Sequence, residues 1–238
     1  MVLGNAALVL TLMLGKLMKL MYLGRISPAE YDHVMDHVPY TIVKTTLTLT
    51  VFREEINVRM VVLFTVFLFF KVFHWLAKAR MEHIELYDSF RWKLHLRQLW
   101  LIVSLLAADA VLVLASLYNS FGSDGFEPSI HMLFGFEFAV MTVAAVTQLL
   151  RFGLHMVDLR HADGWTDKPV YSLYLEILSD VCSLFIYICF FVTVFVFYSI
   201  PLYLVRDLYI SAKNLCHRIA QFVQYRRIAA DLDQRFPN

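Results

Sequence analysis

Ionisable side chains lie within long apolar stretches of this 238-residue chain, and nine of them are the most informative for function. They are Lys44, Lys71, His74, Asp109, Glu137, Glu176 and Asp180, with Arg206 and Asp207 in the last stretch. A charge at the centre of a bilayer costs roughly 2.5–3.5 kcal/mol on insertion scales, so six of them facing lipid would cost on the order of 15–20 kcal/mol. That cost exceeds the stability of a typical domain. The groups must therefore face one another or water.

The depth of these groups favours water for most of them. Five lie in the half of their stretch that is nearer the basic flanks, Asp109 lies near the middle, and Glu137 lies nearer the other side. Three threonines follow one helix face at i, i+4 and i+7, and two carboxylates share another face at i, i+4. The pattern predicts a polar cavity open to the cytosol, lined by Thr41, Lys44, Thr45, Thr48, Lys71, His74, Glu176 and Asp180. Asp109 and Glu137 are predicted to form intramembrane polar packing. The alternative is that all these groups only pair between helices.

The composition indicates that these stretches are membrane helices. Hydrophobic residues make up 59% of the chain and charged residues 17%, against about 45–50% and about 25% in soluble domains. Too little polar surface remains for a soluble enzyme or a disordered chain. With 21 basic and 20 acidic residues, no excess charge remains to meet nucleic acid. The sequence predicts an all-α fold, a polytopic helical membrane bundle.

Seven candidate spans follow from the need for about 20 apolar residues per crossing. They are 2–23, 38–52, 60–77, 99–118, 130–150, 171–199 and an amphipathic stretch that begins at Pro201. The second is short and polar, and the seventh is the least apolar. Lys and Arg cluster after the first, third, fifth and seventh candidates, so these connections are predicted to be cytosolic. The C-terminus would then be cytosolic as well.

Two connections carry local signals of their own. Ser27 and Glu30 form a capping-box pattern with Pro28 at the first helical position, which predicts a short helix. Pro39 is expected to stop that helix at about Val38. The charged stretch 78–98, with interspersed apolar residues, is expected to continue the third helix along the membrane interface.

Signals for catalysis are weak. The chain has one His-x3-His pair, His33 and His37, and the remaining histidines are scattered. Its three cysteines favour a packing role over a disulfide framework or a zinc site. No Gly-x-Ser setting for a serine nucleophile is present. A secondary transporter would show mid-span Gly or Pro and two related halves, and we see neither. The residues alone predict no cofactor, no metal and no catalytic group.

Several motifs resemble the synoviolin (Hrd-type) RING E3 ubiquitin ligases of the endoplasmic reticulum. The most specific stretch is Lys71-Val72-Phe73-His74-Trp75-Leu76-Ala77, followed by Arg80. Others in matching order are Thr50-Val51-Phe52-Arg53-Glu54-Glu55, Leu63-Phe64, Phe134-Gly135-Phe136-Glu137-Phe138-Ala139, Val170-Tyr171 with Leu173-Tyr174 and Glu176, and Arg226-Arg227 ahead of Phe236-Pro237. Asp109 also falls where the family has an intramembrane aspartate.

The resemblance implies a role in ER-associated degradation. Family members have a further N-terminal helix and, after the last helix, a RING domain that binds zinc and makes the full-length protein a ubiquitin transferase. Neither matches a part of this sequence. We therefore expect residues 1–225 to form the multi-pass transmembrane domain and 226–238 to begin a cytosolic linker. Zinc is expected only in that RING domain.

The family's membrane domain is a half-channel for misfolded ER proteins. The partners that this implies are a lumenal Sel-type or Hrd-type adaptor glycoprotein, derlin proteins, misfolded clients, a ubiquitin-conjugating enzyme recruited through the RING, a second copy of the ligase in a dimer, and membrane lipid. The location implied is the ER membrane, and no nucleic acid is expected. Two other functions stay open at this point: a passive membrane anchor for a cytosolic RING domain, and a small-solute carrier.

Overall fold

The computed structural model describes residues 9, 13–24, 27–49, 58–87, 92–121, 130–160, 165, 167–197 and 202–235. Six α-helices cover most of this part of the chain: α1 (Pro28–Leu49), α2 (Val58–Tyr87), α3 (Trp92–Phe121), α4 (Ile130–Asp158), α5 (Lys168–Phe197) and α6 (Leu202–Arg235). Residues 13–18 are also helical and continue into a π-helical segment, Lys19–Leu23. Within the described ranges there is no strand, so the predicted all-helical class is confirmed.

Four helices are long and apolar enough to cross a membrane: Val62–Leu86, Trp92–Ser120, His131–Asp158 and Lys168–Val196. They correspond to the third to sixth predicted spans, extended by several residues at one or both ends. Among the described residues the other predicted spans do not reach this standard. The first span falls partly outside the described residues, as do Phe52 and Pro201. A count of seven is therefore not established.

The chain divides into two compact units, Met1–Phe152 and Gly153–Asn238. In the first unit α1 packs on α2, α2 packs on α3, and the π-helical segment packs on α3. In the second unit α5 packs along α6.

The start of α1 confirms the predicted capping box. Ser27 N donates to Glu30 Oε2 at 2.8 Å, and Glu30 N donates to Ser27 Oγ at 3.3 Å. Each side chain thus satisfies one backbone donor that the first helical turn leaves unpaired. Pro28 is the first residue of the helix, as expected.

The predicted stop at Pro39 is wrong, because α1 continues through it to Leu49. A proline inside a helix removes one backbone donor and crowds the preceding turn, at a cost of about 3 kcal/mol. Tertiary packing outweighs that cost here. Val34 before the proline and Thr41 after it are both buried, so the helix has a packed face on each side of Pro39.

Gly24 ends the π-helical segment in a conformation that favours glycine. Its φ is +64°, and its N–H donates to the carbonyl of Lys19 at 2.8 Å. A side chain in this left-handed region would strain the backbone. A Cβ atom here would also lie 3.4 Å from Nη1 of Arg97. The residue fixes the turn between the π-helical segment and α1.

The core of the first unit is centred on α2. One cluster joins Leu23, Val34, Phe73, Leu76 and Leu101. A second lies between α2 and α4, where the ring of Phe67 sits 5.9 Å from that of Phe134 and 6.0 Å from that of Phe138. These aromatic contacts bring the polar residues of α2 next to those of α4.

Helices α3 and α4 approach closely at Gly135. A Cβ atom placed there would lie 3.0 Å from Cβ of Ser116, which is fixed to the backbone and cannot rotate away. We expect Gly135→Ala to lower the free energy of unfolding by about 1–3 kcal/mol through overpacking. The matched control is Gly153→Ala, because nothing lies within 4 Å of its added Cβ. It should stabilise the helix by roughly 0.5–1 kcal/mol. Thermal melts in detergent would compare the two, and equal melting temperatures would contradict the close approach.

Candidate functional site: ionisable groups within the helices

His74 of α2 and Asp109 of α3 form the most deeply buried polar pair. Nε2 of His74 lies 2.8 Å from Oδ2 of Asp109, and their side chains are 6% and 0% exposed. The amide of Gln148 also reaches the backbone carbonyl of His74, at 3.5 Å. Nδ1 of His74 and Oδ1 of Asp109 have no hydrogen-bond partner among the described residues. The pair joins two helices in the interior of the first unit.

Lys71, one turn before His74, is held between α2 and α4. Its Nζ lies 3.1 Å from Oε2 of Glu137 and 4.6 Å from the ring centroid of Phe67. The two charged side chains are 17% and 13% exposed. The aromatic face and the carboxylate together offset part of the cost of burying the ammonium group.

Two arginine pairs follow toward the C-terminal end of α2. Arg80 binds Glu30 of α1, with Nε 2.6 Å from Oε1 and Nη2 3.1 Å from Oε2. Arg151 of α4 donates hydrogen bonds from Nε and Nη2 to the carboxylate oxygens of Glu85, at 2.6–3.1 Å. Both are fork-shaped contacts of the kind that a planar guanidinium favours. Helix α2 therefore carries polar links to α1, α3 and α4.

In the second unit, Arg218 of α6 binds two carboxylates of α5. Its Nη1 pairs with Glu176, and its Nε lies 2.7 Å from Oδ2 of Asp180. The i, i+4 spacing of the acidic residues puts both on the face that α6 covers. Phe222, one turn further along α6, packs its ring 4.8 Å from that of Tyr174.

The polar groups in the two units differ in their access to solvent. The side chains of Arg218, Glu176 and Asp180 are 33%, 32% and 24% exposed. The His74–Asp109 pair is almost fully buried, and the Lys71–Glu137 pair lies between these limits. The α5–α6 cluster is therefore less enclosed by protein than the pairs of the first unit.

The structure places the residues of the predicted cavity in several settings. Thr41 is buried on α1. Lys44, Thr45 and Thr48 lie on α1, but their side chains are outside the described part of the structure. The other four, Lys71, His74, Glu176 and Asp180, form the pairs described above. The lining of a cavity by these eight residues stays a prediction, as does the packing role of Asp109 and Glu137.

His33 and His37, the one His-x3-His pair, contact each other and a neighbouring aromatic ring. Nδ1 of His37 lies 2.7 Å from the carbonyl oxygen of His33, and the ring of His37 lies 5.5 Å from that of Trp75. Burial lowers the pKa of His33, and the neighbouring His37 lowers it further. Within the described ranges no three His, Cys, Asp or Glu residues are placed to hold a metal ion.

Sequence reasoning missed the partners that complete these sites. The sequence patterns single out Glu176 and Asp180 but not Arg218, although a basic residue on an amphipathic helix is a usable signal for pairing with an i, i+4 acidic pair. Gln98, which donates to the carbonyl of Ala77 at 2.7 Å, and Gln148 had no such signal. An uncharged amide in a helix does not reveal which neighbouring carbonyl it faces.

Comparison with known proteins gives a family match and a curated relative that covers almost the whole chain. Residues 1–231 match the family model described as "E3 ubiquitin-protein ligase synoviolin-like, TPR repeats". A tetratricopeptide repeat is about 34 residues long and contains two helices. The α-helices of this chain are 22 to 34 residues long, so each is longer than a helix of such a repeat. The chain is 26% identical over 238 residues to the ERAD-associated E3 ubiquitin-protein ligase hrd1 of Schizosaccharomyces pombe.

That alignment covers 98% of this chain and 34% of the yeast protein. The chain thus spans about a third of the length of the curated relative. The family match extends over nearly the whole sequence, including nearly all of the helical part described above. The chain belongs to the synoviolin-like family of E3 ubiquitin-protein ligases.

Proposed function

We propose that this chain is the membrane domain of a ubiquitin ligase for ER-associated degradation, and that it forms a half-channel for misfolded proteins leaving the ER. The name of the yeast relative supports the pathway, and four apolar helices support residence in a membrane. In this proposal the ligase activity lies in a zinc-binding RING domain outside the matched region, and the C-terminal end of α6 faces the cytosol.

The observation that carries the half-channel proposal is the Arg218–Glu176–Asp180 cluster. Glu176 and Asp180 lie in α5, one of the four helices apolar enough to cross a membrane, and a charged cluster on such a helix is costly unless it is hydrated or performs a function. Its three side chains keep a quarter to a third of their surface exposed. An unfolded client carries exposed backbone amides, which need polar partners within the membrane. A hydrated wall of charged and hydroxyl groups offers such partners.

The proposal assigns different roles to the two sets of ion pairs. Glu176, Asp180 and Arg218 would contribute to the cavity wall. The buried His74–Asp109 and Lys71–Glu137 pairs would hold α2, α3 and α4 together. Lumenal adaptor, derlin and a second ligase copy would then assemble around this domain, as the family resemblance implies.

The test neutralises the cluster without changing its shape. We expect Glu176→Gln with Asp180→Asn to slow the clearance of a misfolded lumenal client several-fold, while insertion and protein level stay unchanged. Asp167→Asn is the matched control, because Asp167 is exposed in the turn before α5. Pulse-chase of a glycosylated client measures the rate. Clearance as fast as that of the control would contradict a role in the conduit.

A second arm of the same test asks whether the cavity is wet. Cysteines at Thr45 or Thr48 should react with a membrane-impermeant maleimide from the cytosolic side, whereas a cysteine at Val43, on the opposite face of α1, should not. Equal protection of both faces would leave a passive anchor as the function. The passive-anchor function is supported by the burial of the His74–Asp109 pair between two helices. A carrier would instead move a solute in reconstituted vesicles.

A further inference from the structure

A long apolar groove lies in the first unit, between residues 13–23, α1 and α2. Its volume is about 690 Å³, within the range of roughly 300–1,000 Å³ typical of ligand pockets. Phe64, Leu68, Val72 and Leu76 line it along α2, and Val34 and Met35 line it on α1. Neither Lys71 nor His74 is among the residues that line the groove. The groove is therefore separate from the ion pairs described above.

The length of the groove matches one leaflet of a bilayer. From Phe64 to Leu76 it follows thirteen residues of α2, and their twelve helical rises of 1.5 Å span about 18 Å. The apolar core of a bilayer is about 30 Å thick, so one leaflet contributes about 15 Å. Helix α2 is one of the four helices able to cross a membrane, through Val62–Leu86. A groove on it lies at the depth of the lipid chains.

Two lysines give this apolar groove a charge. Lys16 and Lys19 both line it, and both are exposed. Among the described residues neither has a carboxylate partner, in contrast to Lys71. Tyr31 adds a hydroxyl group to the lining. Cations that flank an apolar groove at membrane depth are complementary to a ligand with a hydrocarbon chain and an anionic head.

We propose that the groove binds one anionic glycerophospholipid, with an acyl chain along α2 and the phosphate between Lys16 and Lys19. The acyl chain of the lipid would occupy the groove between residues 13–23, α1 and α2. A free phosphate ion satisfies the lysines but leaves the apolar lining uncovered. A neutral lipid fills the groove but leaves the lysines without a counter-charge.

The experiment counts lipids that stay bound to the full chain. The protein is reconstituted into nanodiscs of phosphatidylcholine that contain phosphatidylinositol, released into mild detergent, and weighed by native mass spectrometry. We expect one retained phosphatidylinositol per chain. Lys16→Gln with Lys19→Gln should weaken its retention on the order of 10- to 30-fold, since each lysine near a membrane surface contributes about one factor of five toward anionic lipid.

Controls separate the alternatives. Lys213→Gln removes an exposed charge on α6 and should change nothing, and inorganic phosphate should not displace the lipid. Leu68→Trp, which fills the groove, should abolish retention, and an unchanged melting temperature in lipid-free detergent would show that the variants fold. The proposal would be overturned if the double variant retained as much phosphatidylinositol as the unsubstituted protein, or if phosphatidylcholine were retained equally well. It would also be overturned if a second protein chain were bound in place of the lipid.

Discussion

Replacing Asp109 with leucine is expected to lower the free energy of unfolding by about 3 kcal/mol. The side chain of Asp109 is fully buried and lies 2.8 Å from that of His74. Without the carboxylate, His74 would remain buried in α2 with no polar partner on α3. Loss of one member of a buried pair in soluble proteins costs about 3–5 kcal/mol. The lower end applies here, because helices separated in a membrane find other polar partners.

The double variant His74→Leu with Asp109→Leu provides the decisive comparison. The double variant has no polar side chain left to desolvate at this position, so it should regain most of the lost stability. Unfolding in mixed micelles of increasing denaturing detergent measures the unsubstituted protein and the three variants. A double variant that is more stable than either single variant would confirm that the two groups are coupled. If the two single losses simply add in the double variant, the groups do not act as a pair.

The helices that form membrane spans could be predicted because their signal is local. An apolar run of about 20 residues marks a crossing whatever its neighbours are, and α2 to α5 appeared where the sequence placed them. The capping box at Ser27 and Glu30 is local too, since both hydrogen bonds join residues three apart. Each of these features depends on residues that are adjacent in the sequence.

The pairing of ionisable groups could not be predicted because it depends on packing between helices. Asp109 and Glu137 both stood out as costly membrane carboxylates, but their partners on α2 lie 35 and 66 residues away in the sequence. Depth along the helix predicts that Lys71 and His74 line a cavity, but it does not indicate which residues of α3 and α4 lie next to them. The failed stop at Pro39 has the same origin, because local backbone preference gave way to packing on both sides.

Substitution of Arg80 by leucine should destabilise the first unit by about 3–5 kcal/mol, because it leaves a buried carboxylate uncompensated. Arg80 makes a forked contact with Glu30, which is 3% exposed. Its Nη2 also donates to the carbonyl of Leu23 at 3.2 Å. One guanidinium thus links α2 to the start of α1 and to the end of the π-helical segment. Thermal unfolding of the chain in nanodiscs would report the loss.

Replacing Arg80 with lysine tests whether its charge or its forked hydrogen-bonding geometry contributes more to stability. Arg80→Lys keeps the charge but not the fork, and we expect it to lose about half as much, since an ammonium group cannot bind both carboxylate oxygens and a carbonyl in one plane. Adding Glu30→Gln to Arg80→Leu should restore part of the stability, because glutamine still completes the capping box with Ser27 and carries no charge to bury. If Glu30→Gln worsens the Arg80→Leu variant, the carboxylate must have another counter-charge, and Arg80 would not be the residue that joins the three segments.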